Sequence, residues 1–221
     1  MGLTRNDTVS TKFQKIDSII NLLVTEMDND PELKKICTYL TYQPLASKST
    51  DMSGNVIYQR DITTSMLKEQ KICVSKTTDN TDASYKEIIV PQILVPYCFQ
   101  EDKLLVEQVS LFIHNFRNDL DSQIGANDFV IDVLVPSKYQ ELKPYGVNRL
   151  HEILKRLAYL FDNVETDKES SEELGNIKFD IVGRPIEQRI NKTNEITIYS
   201  VIVRTKLINA RCNGYDTLKF R

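Results

Sequence analysis

The chain has 221 residues, a length for one domain of moderate size or a domain with an attached arm. With 41% apolar and 27% charged residues it can bury a real core, which excludes a disordered polymer. A net charge of −3 excludes a protein whose main task is to coat nucleic acid, because that needs a surplus of Lys and Arg facing phosphate, and leaves room only for a local basic face.

The opening MGLTRNDTVSTKF has no apolar signal core, and no stretch approaches the roughly 18–20 apolar residues of a membrane span. Gly2 is a poor myristoylation site, because Asp7 stands where Ser or Thr is wanted and Thr8 is off register. Residues 10–27 are predicted helical: Phe13, Ile16, Ile19, Ile20, Leu23, Val24 and Met27 recur at i, i+3, i+4, with Ser10 or Thr11 as N-cap. A second helix follows in DNDPELKKICTYL, where Asp30 caps, Pro31 takes the first helical position, and Leu33, Ile36 and Leu40 form the apolar edge. Residues 41–61, with Gln43-Pro44 and SKSTDMSGN, read as an irregular loop or extended arm. Residues 62–70 read as a short helix, 71–75 (KICVS) as a strand, and 77–84 as a polar loop.

From residue 87 the pattern turns to β. EIIVPQILVPYCF carries Pro91 and Pro96, which give no ladder donor, so it is an edge strand, a bulged strand or an extended crossing. Strands are predicted over 103–116 and 128–136, the latter with Phe129, Ile131, Val133 and Val135 on one face and Asp132 on the other. A loop over 137–146 leads to a helix over 147–162. Its stripe of Leu150, Leu154, Leu157 and Phe161 is widened by Val147, Ile153 and Leu160, while Arg149, Glu152, Lys155 and Arg156 fall towards the other side. An acidic loop over 165–175 precedes strands over 176–183, with Ile177, Phe179 and Ile181 inward, and over 195–208. Residues 209–221 read as a tail too poor in apolar residues to pack alone.

Strands on both sides of one helix predict an α+β fold: a mostly antiparallel sheet with helices packed on one face, an N-terminal helical pair, an extended arm and a C-terminal tail. The expected division is 1–61 as helices and arm, 62–208 as the main α+β domain, and 209–221 as the tail.

Catalytic motifs are missing. The seven glycines form neither GxGxxG nor GxxxxGK[ST], and the loop before the 147–162 helix has only Gly146, so a strand–loop–helix unit that could cradle phosphate is read as a connector. Cys37, Cys73, Cys98 and Cys212 are widely spaced and form no CxxC, as for free thiols in a reducing compartment. His114 and His151 have no acidic or Cys partner at ligand spacing, and nothing orients a Cys98–His114 pair as nucleophile and base. Asp128, Asp132, Asp180 and Glu187, with Lys178, are the residues from which a Mg²⁺-dependent nuclease would be built, although strand alternation already accounts for them. Arg184, Arg189, Lys192, Arg211, Lys219 and Arg221 are the cations available to phosphate or to a neighbour's acidic loop. No catalytic, cofactor-binding or metal residue is assigned, no cofactor is expected, and the chain is read as a non-enzyme.

The order of elements carries a resemblance. A long strand (LLVEQVSLFIHNF), a polar gap (RNDLDSQIGAN), a strand ending in proline (DFVIDVLVP), an amphipathic helix (NRLHEILKRLAYLF) and strands IKFDIVG and ITIYSVIVRTKL follow a helix-rich start that runs into a YQPL loop. Over roughly residues 10–208 this resembles the neck and tail-completion proteins of tailed bacteriophages, the tail-terminator or head–tail connector group. The resemblance implies a structural virion protein, assembled in the host cytoplasm. It implies a sixfold or twelvefold homo-oligomeric ring joining portal or adaptor and tail proteins, with passive DNA contact in the lumen and no membrane. It brings no site residues, since the group has no fixed motif. Residues 41–61, 77–84 and 209–221 are then expected to order on assembly. The alternative is a metal-dependent nuclease or DNA-binding module of phage origin.

Overall fold

The computed structural model describes residues 8–63, 71–75, 83–87, 95–96, 108–118, 127–143, 146–166, 176–190 and 196–208. Helix α1 spans Thr8–Asn29, so Ser10 and Thr11, expected as its N-cap, lie inside it. Its 3.6-residue stripe buries Ile16, Ile19, Ile20, Leu23 and Met27. Helix α2, Pro31–Thr38, starts as its sequence dictates: the Asp30 carboxylate accepts from Leu33 N at 2.7 Å, and Pro31 takes the first turn. Helix α3, Arg149–Phe161, is capped by the Asn148 side chain, which accepts from Leu150 N at 2.9 Å. It ends before Asn163, whose φ of 57° is left-handed and stops the helical path. Leu150, Ile153, Leu157 and Phe161 are buried in α3, each stabilising by about 1.5–3 kcal/mol.

The main sheet has six strands in the order β10-β11-β12-β7-β6-β5: Val164–Glu165, Asn176–Ile190, Ile196–Ile208, Asn127–Pro136, Ser110–Asn118 and Val95–Pro96. Every pair is antiparallel except β5 with β6, which places the proline-bearing Val95–Pro96 at an edge as expected. The register sets apolar rows facing the helices: Ile113–Ile131–Val201 and Phe129–Val203–Ile181. These rows and the buried stripes of all three helices form one core, so the helices lie on one face of a mostly antiparallel sheet. The α+β fold is as the sequence predicts.

Three expectations need correction. Residues 41–61 are not an irregular arm. They contain an antiparallel hairpin of β1 (Lys48–Thr50) and β2 (Val56–Tyr58), which continues through β3 (Lys71–Ser75) to β4 (Ala83–Glu87) as a second, four-stranded sheet. Its turn is held by Asp51, whose carboxylate accepts from Ser53 N and Asn55 N, with Gly54 at φ 83°. The 137–146 loop holds a 3-10 turn, Ser137–Tyr139, and a small ladder of β8 (Glu141–Leu142) with β9 (Val147–Asn148). Strand β11 runs past residue 183 to Ile190, through a bulge where Gly183, at φ 78°, breaks the register between Val182 and Ile186. Residues 64–70, 76–82, 103–107, 167–175 and 209–221, for which a helix, loops, a strand start and a tail are predicted, lie outside the described residues.

Arg149 also departs from its expected solvent-facing position. It is 1% exposed, and its described hydrogen bonds all go to backbone carbonyls. Its guanidinium donates to Tyr139 O at 2.8 Å, Tyr39 O at 3.0 Å, Thr41 O at 2.5 Å, and Ile36 O. Ile36 O belongs to the last turn of α2, where carbonyls lack helical partners and the helix dipole is negative. Seven residues on, Arg156 bonds the Asp30 cap at the other end of α2. Seven helical residues rise about 10.5 Å, close to the ~12 Å length of an eight-residue helix, so the two arginines of α3 grip both ends of α2. Burial pulls the Arg149 pKa down, to about 10, and the group stays charged at neutral pH. Burial alone would also lower the Arg156 pKa, but the hydrogen bond and charge of Asp30, with Glu32, raise it.

Replacing Arg149 by Met strands four carbonyls, and a lysine in its place would offer three donors without the planar fork. Urea denaturation is expected to show Arg149→Met losing about 3 kcal/mol or more and Arg149→Lys about 2, against within about 0.5 for the exposed control Lys155→Met. Equal effects of all three would contradict the clamp.

Candidate functional site

The face of the main sheet turned away from the helices carries three of the four carboxylates that the sequence offers for metal chemistry, Asp128, Asp132 and Asp180. Strand alternation puts Asp128 and Asp132 of β7 on this face, and antiparallel register sets a cation or a donor beside each. Asp128 takes a two-pronged ion pair from Arg204, Nε to Oδ1 at 2.7 Å and Nη2 to Oδ2 at 2.8 Å. The bond and charge of Asp128 raise the Arg204 pKa above its ordinary value. Arg204 also lies opposite Asp180 of β11, whose oxygens are 3.6 Å from Lys178 and Lys206. Asp132 accepts from Ser200 Oγ at 2.5 Å and lies 2.9 Å from His114 Nε2. Glu187 lies on the other face, across from Tyr199 at the edge of the helix-side core, and accepts from its hydroxyl at 2.7 Å.

This geometry does not gather the acids around an ion. Asp128 and Asp132 are four residues apart on one strand, about 13 Å, and Asp180 is two strands from Asp128, about 10 Å. Arg204 stands between that pair. Among the described residues no three His, Cys, Asp or Glu side chains come together as a metal site. The face is a ladder of balanced charges, so its cations are already matched by acids and offer little surplus to phosphate.

His114 was expected to lack an acidic partner. Its pairing with Asp132 corrects this: residues 114 and 132 meet only through the β6–β7 register, which composition does not reveal. The hydrogen-bonded order is Ser200–Asp132–His114. The carboxylate sits between the other two, so the imidazole is not placed to take the serine proton. His151 is exposed on α3. Cys98 and Cys212 lie outside the described residues, as do Lys192, Arg211, Lys219 and Arg221. Cys73 lies on β3 and Arg189 on β11, while Arg184 is exposed at the β11 bulge. Cys37 is a free thiol on the buried face of α2; burial first, offset by Arg149 and reinforced by Asp30, pushes its pKa up to about 12.

A different feature, one the sequence did not single out, has the shape of a binding site. A cleft of about 420 Å³ opens between the Tyr42–Ala46 loop, the β8–β9 ladder and the first turn of α3. Pro44, Leu45, Leu142 and Val147 make its apolar walls, and Glu152 stands on its rim. Leu45 is 45% exposed there. Lys143 lies 4.2 Å above the Tyr42 ring, and Lys143 N donates to Tyr42 O at 3.0 Å, which ties the loop to the ladder. The volume falls in the range of small-ligand and side-chain pockets.

Two outcomes follow from these geometries. Mg²⁺ or Mn²⁺ is expected to leave the melting temperature unchanged and to produce no DNA cleavage; metal-dependent cleavage abolished by Asp132→Asn or Asp180→Asn would contradict the ladder. The folded state holds the Cys37 proton that the unfolded chain releases from about pH 8.5, so this contribution is present below that pH and lost above it. Stability is expected to fall by about 1 kcal/mol per unit between about pH 9 and 10 relative to Cys37→Val. A wild-type curve parallel to that of the variant would contradict it. No family model, curated protein or solved structure in the comparisons matches the chain.

Proposed function

We propose that the chain is a structural subunit of a ring in the neck or tail of a tailed bacteriophage, joining head and tail around the DNA path. The resemblance in element order supplies the class, and one observation supports an assembly role. Strand β11 is the longest in the sheet, yet β10 pairs only with its Phe179 and Lys178. Among the described residues, no strand pairs with residues 182–186 on the side away from β12. An unpaired strand edge is a template for another chain, which would gain main-chain hydrogen bonds there. Ile186 on this edge is 51% exposed, an apolar contact ready for a neighbour. The bulge and Pro185 bend the edge and remove a donor, which restricts addition to a partner of matching shape and limits indiscriminate aggregation.

A head-to-tail contact between identical subunits closes into a ring when its rotation divides the circle. The paired charges of the outer face favour this reading over the nuclease, since none of those acids is left to hold an ion. Native mass spectrometry across a concentration series, with negative-stain images of the same sample, is expected to show a closed six- or twelve-subunit species. Ile186→Lys is expected to reduce it at equal concentration. A chain that remains monomeric at every concentration and on mixing with portal and tail subunits would contradict the proposal.

A further inference from the structure

The cleft beside Tyr42–Ala46 has no role in the strand-edge contact, and its position constrains what fills it. It lies at the end of the main sheet where Ile196 pairs with Pro136: Gln140 Nε2 donates to Thr197 Oγ1 at 2.6 Å, and Leu142 follows two residues later. The chain beyond β12 leaves from the opposite end, at Ile208, which pairs with Asn176. Thr197 to Ile208 is about 36 Å of strand.

The sequence after Ile208 suits this cleft. In NARCNGYDTLKFR, Leu218 and Phe220 alternate with Lys219 and Arg221, so an extended strand presents two apolar side chains to one side and two cations to the other. The segment has three cations against one Asp side chain. The exposed acid of the ladder beside the cleft is Glu141. Glu152 stands on the rim but is already held by Lys155 at 2.5 Å, and Lys143 lines the cleft as well, so Glu141 is the acid that faces an incoming cation. Leu218 lies ten residues beyond Ile208 and reaches at most about 36 Å. The same copy would have to draw this segment out to full length, straight back along the sheet, and give up nearly all its conformational freedom. A segment arriving from another copy meets no such demand.

We propose that the cleft binds residues 209–221 of a second copy, with Leu218 and Phe220 inside it and Lys219 and Arg221 on the side of Glu141. The inference rests on the ring reading and names a second contact of that assembly. It is heterologous, cleft to tail, and so passes from each subunit to the next.

The test uses the full chain. A photo-crosslinking benzoylphenylalanine replaces Phe220, and this chain is mixed with an equal amount of ¹⁵N-labelled wild type. Crosslinks from position 220 to residues 42–46 or 142–147 of the labelled copies are expected; crosslinks only within one copy, or only elsewhere, overturn the proposal. Phe220→Asp and Leu45→Arg are each expected to reduce the assembled species at least tenfold at equal concentration. A mixture of these two variants keeps one intact junction per pair and is expected to give dimers. Rings that form as well with either substitution as in the wild type overturn the tail–cleft contact and leave the ring reading standing. A wild-type chain that stays monomeric at every concentration and on mixing with portal and tail subunits removes both.

Discussion

The buried guanidinium of Arg149 is the constraint on which the rest depends. Eight residues are too few for α2 to hold itself as a helix in water. It persists because α3 satisfies both its ends, Arg156 at the Asp30 cap and Arg149 at the C-terminal carbonyls. Taking a charge out of water without a counter-ion costs several kcal/mol, and only a group with a fixed fork of donors can recover it from carbonyls alone. The same side chain reaches Thr41 O and Tyr139 O, so one residue joins α2, the entry to the β1–β2 hairpin and the turn after β7. The cleft walls sit on two of these segments, which makes the cleft a consequence of the clamp.

With the helices fixed on one face, the sheet has two surfaces of different character. The inner one is largely apolar, with Thr197, Thr205 and the Tyr199–Glu187 pair as its polar positions. The outer one has a small apolar cluster of Phe112, Leu134, Ile196 and Ile198 at one end and the charge ladder at the other. Catalysis needs groups left unsatisfied and aimed at a substrate. Here Asp128, Asp132, Asp180 and Glu187 are each bonded to a neighbour in the sheet, and the strand edge and the cleft are the features on which the proposed assembly contacts rest.

Much of the fold was legible because burial imposes a period. Leu150, Ile153, Leu157 and Phe161 could lie only on a helix over a sheet, and Phe129, Ile131, Val133 and Val135 only on a strand with one apolar face. Asp30 and Pro31 announced the start of α2 through local chemistry. The features that needed distant partners were not legible. Arg149 looked like a solvated charge because its acceptors in α2 and the hairpin entry are backbone carbonyls more than a hundred residues away, which no side-chain pattern encodes. The hairpin at 48–58 was hidden because its strands are three residues each, too short for alternation to register. His114 and Asp132 met only once the register was set. The cleft is assembled from three separate segments, so nothing in any one of them marks it.

The central claim is of a rigid clamped frame with an open edge that a neighbour covers. Amide hydrogen exchange on the same chain at dilute and assembling concentrations tests it most directly. The account predicts slow exchange in α2 and α3 at both concentrations, with new protection on assembly over residues 182–186 and around the cleft. Fast exchange throughout α2, or an edge whose protection never changes while larger species form, would contradict it.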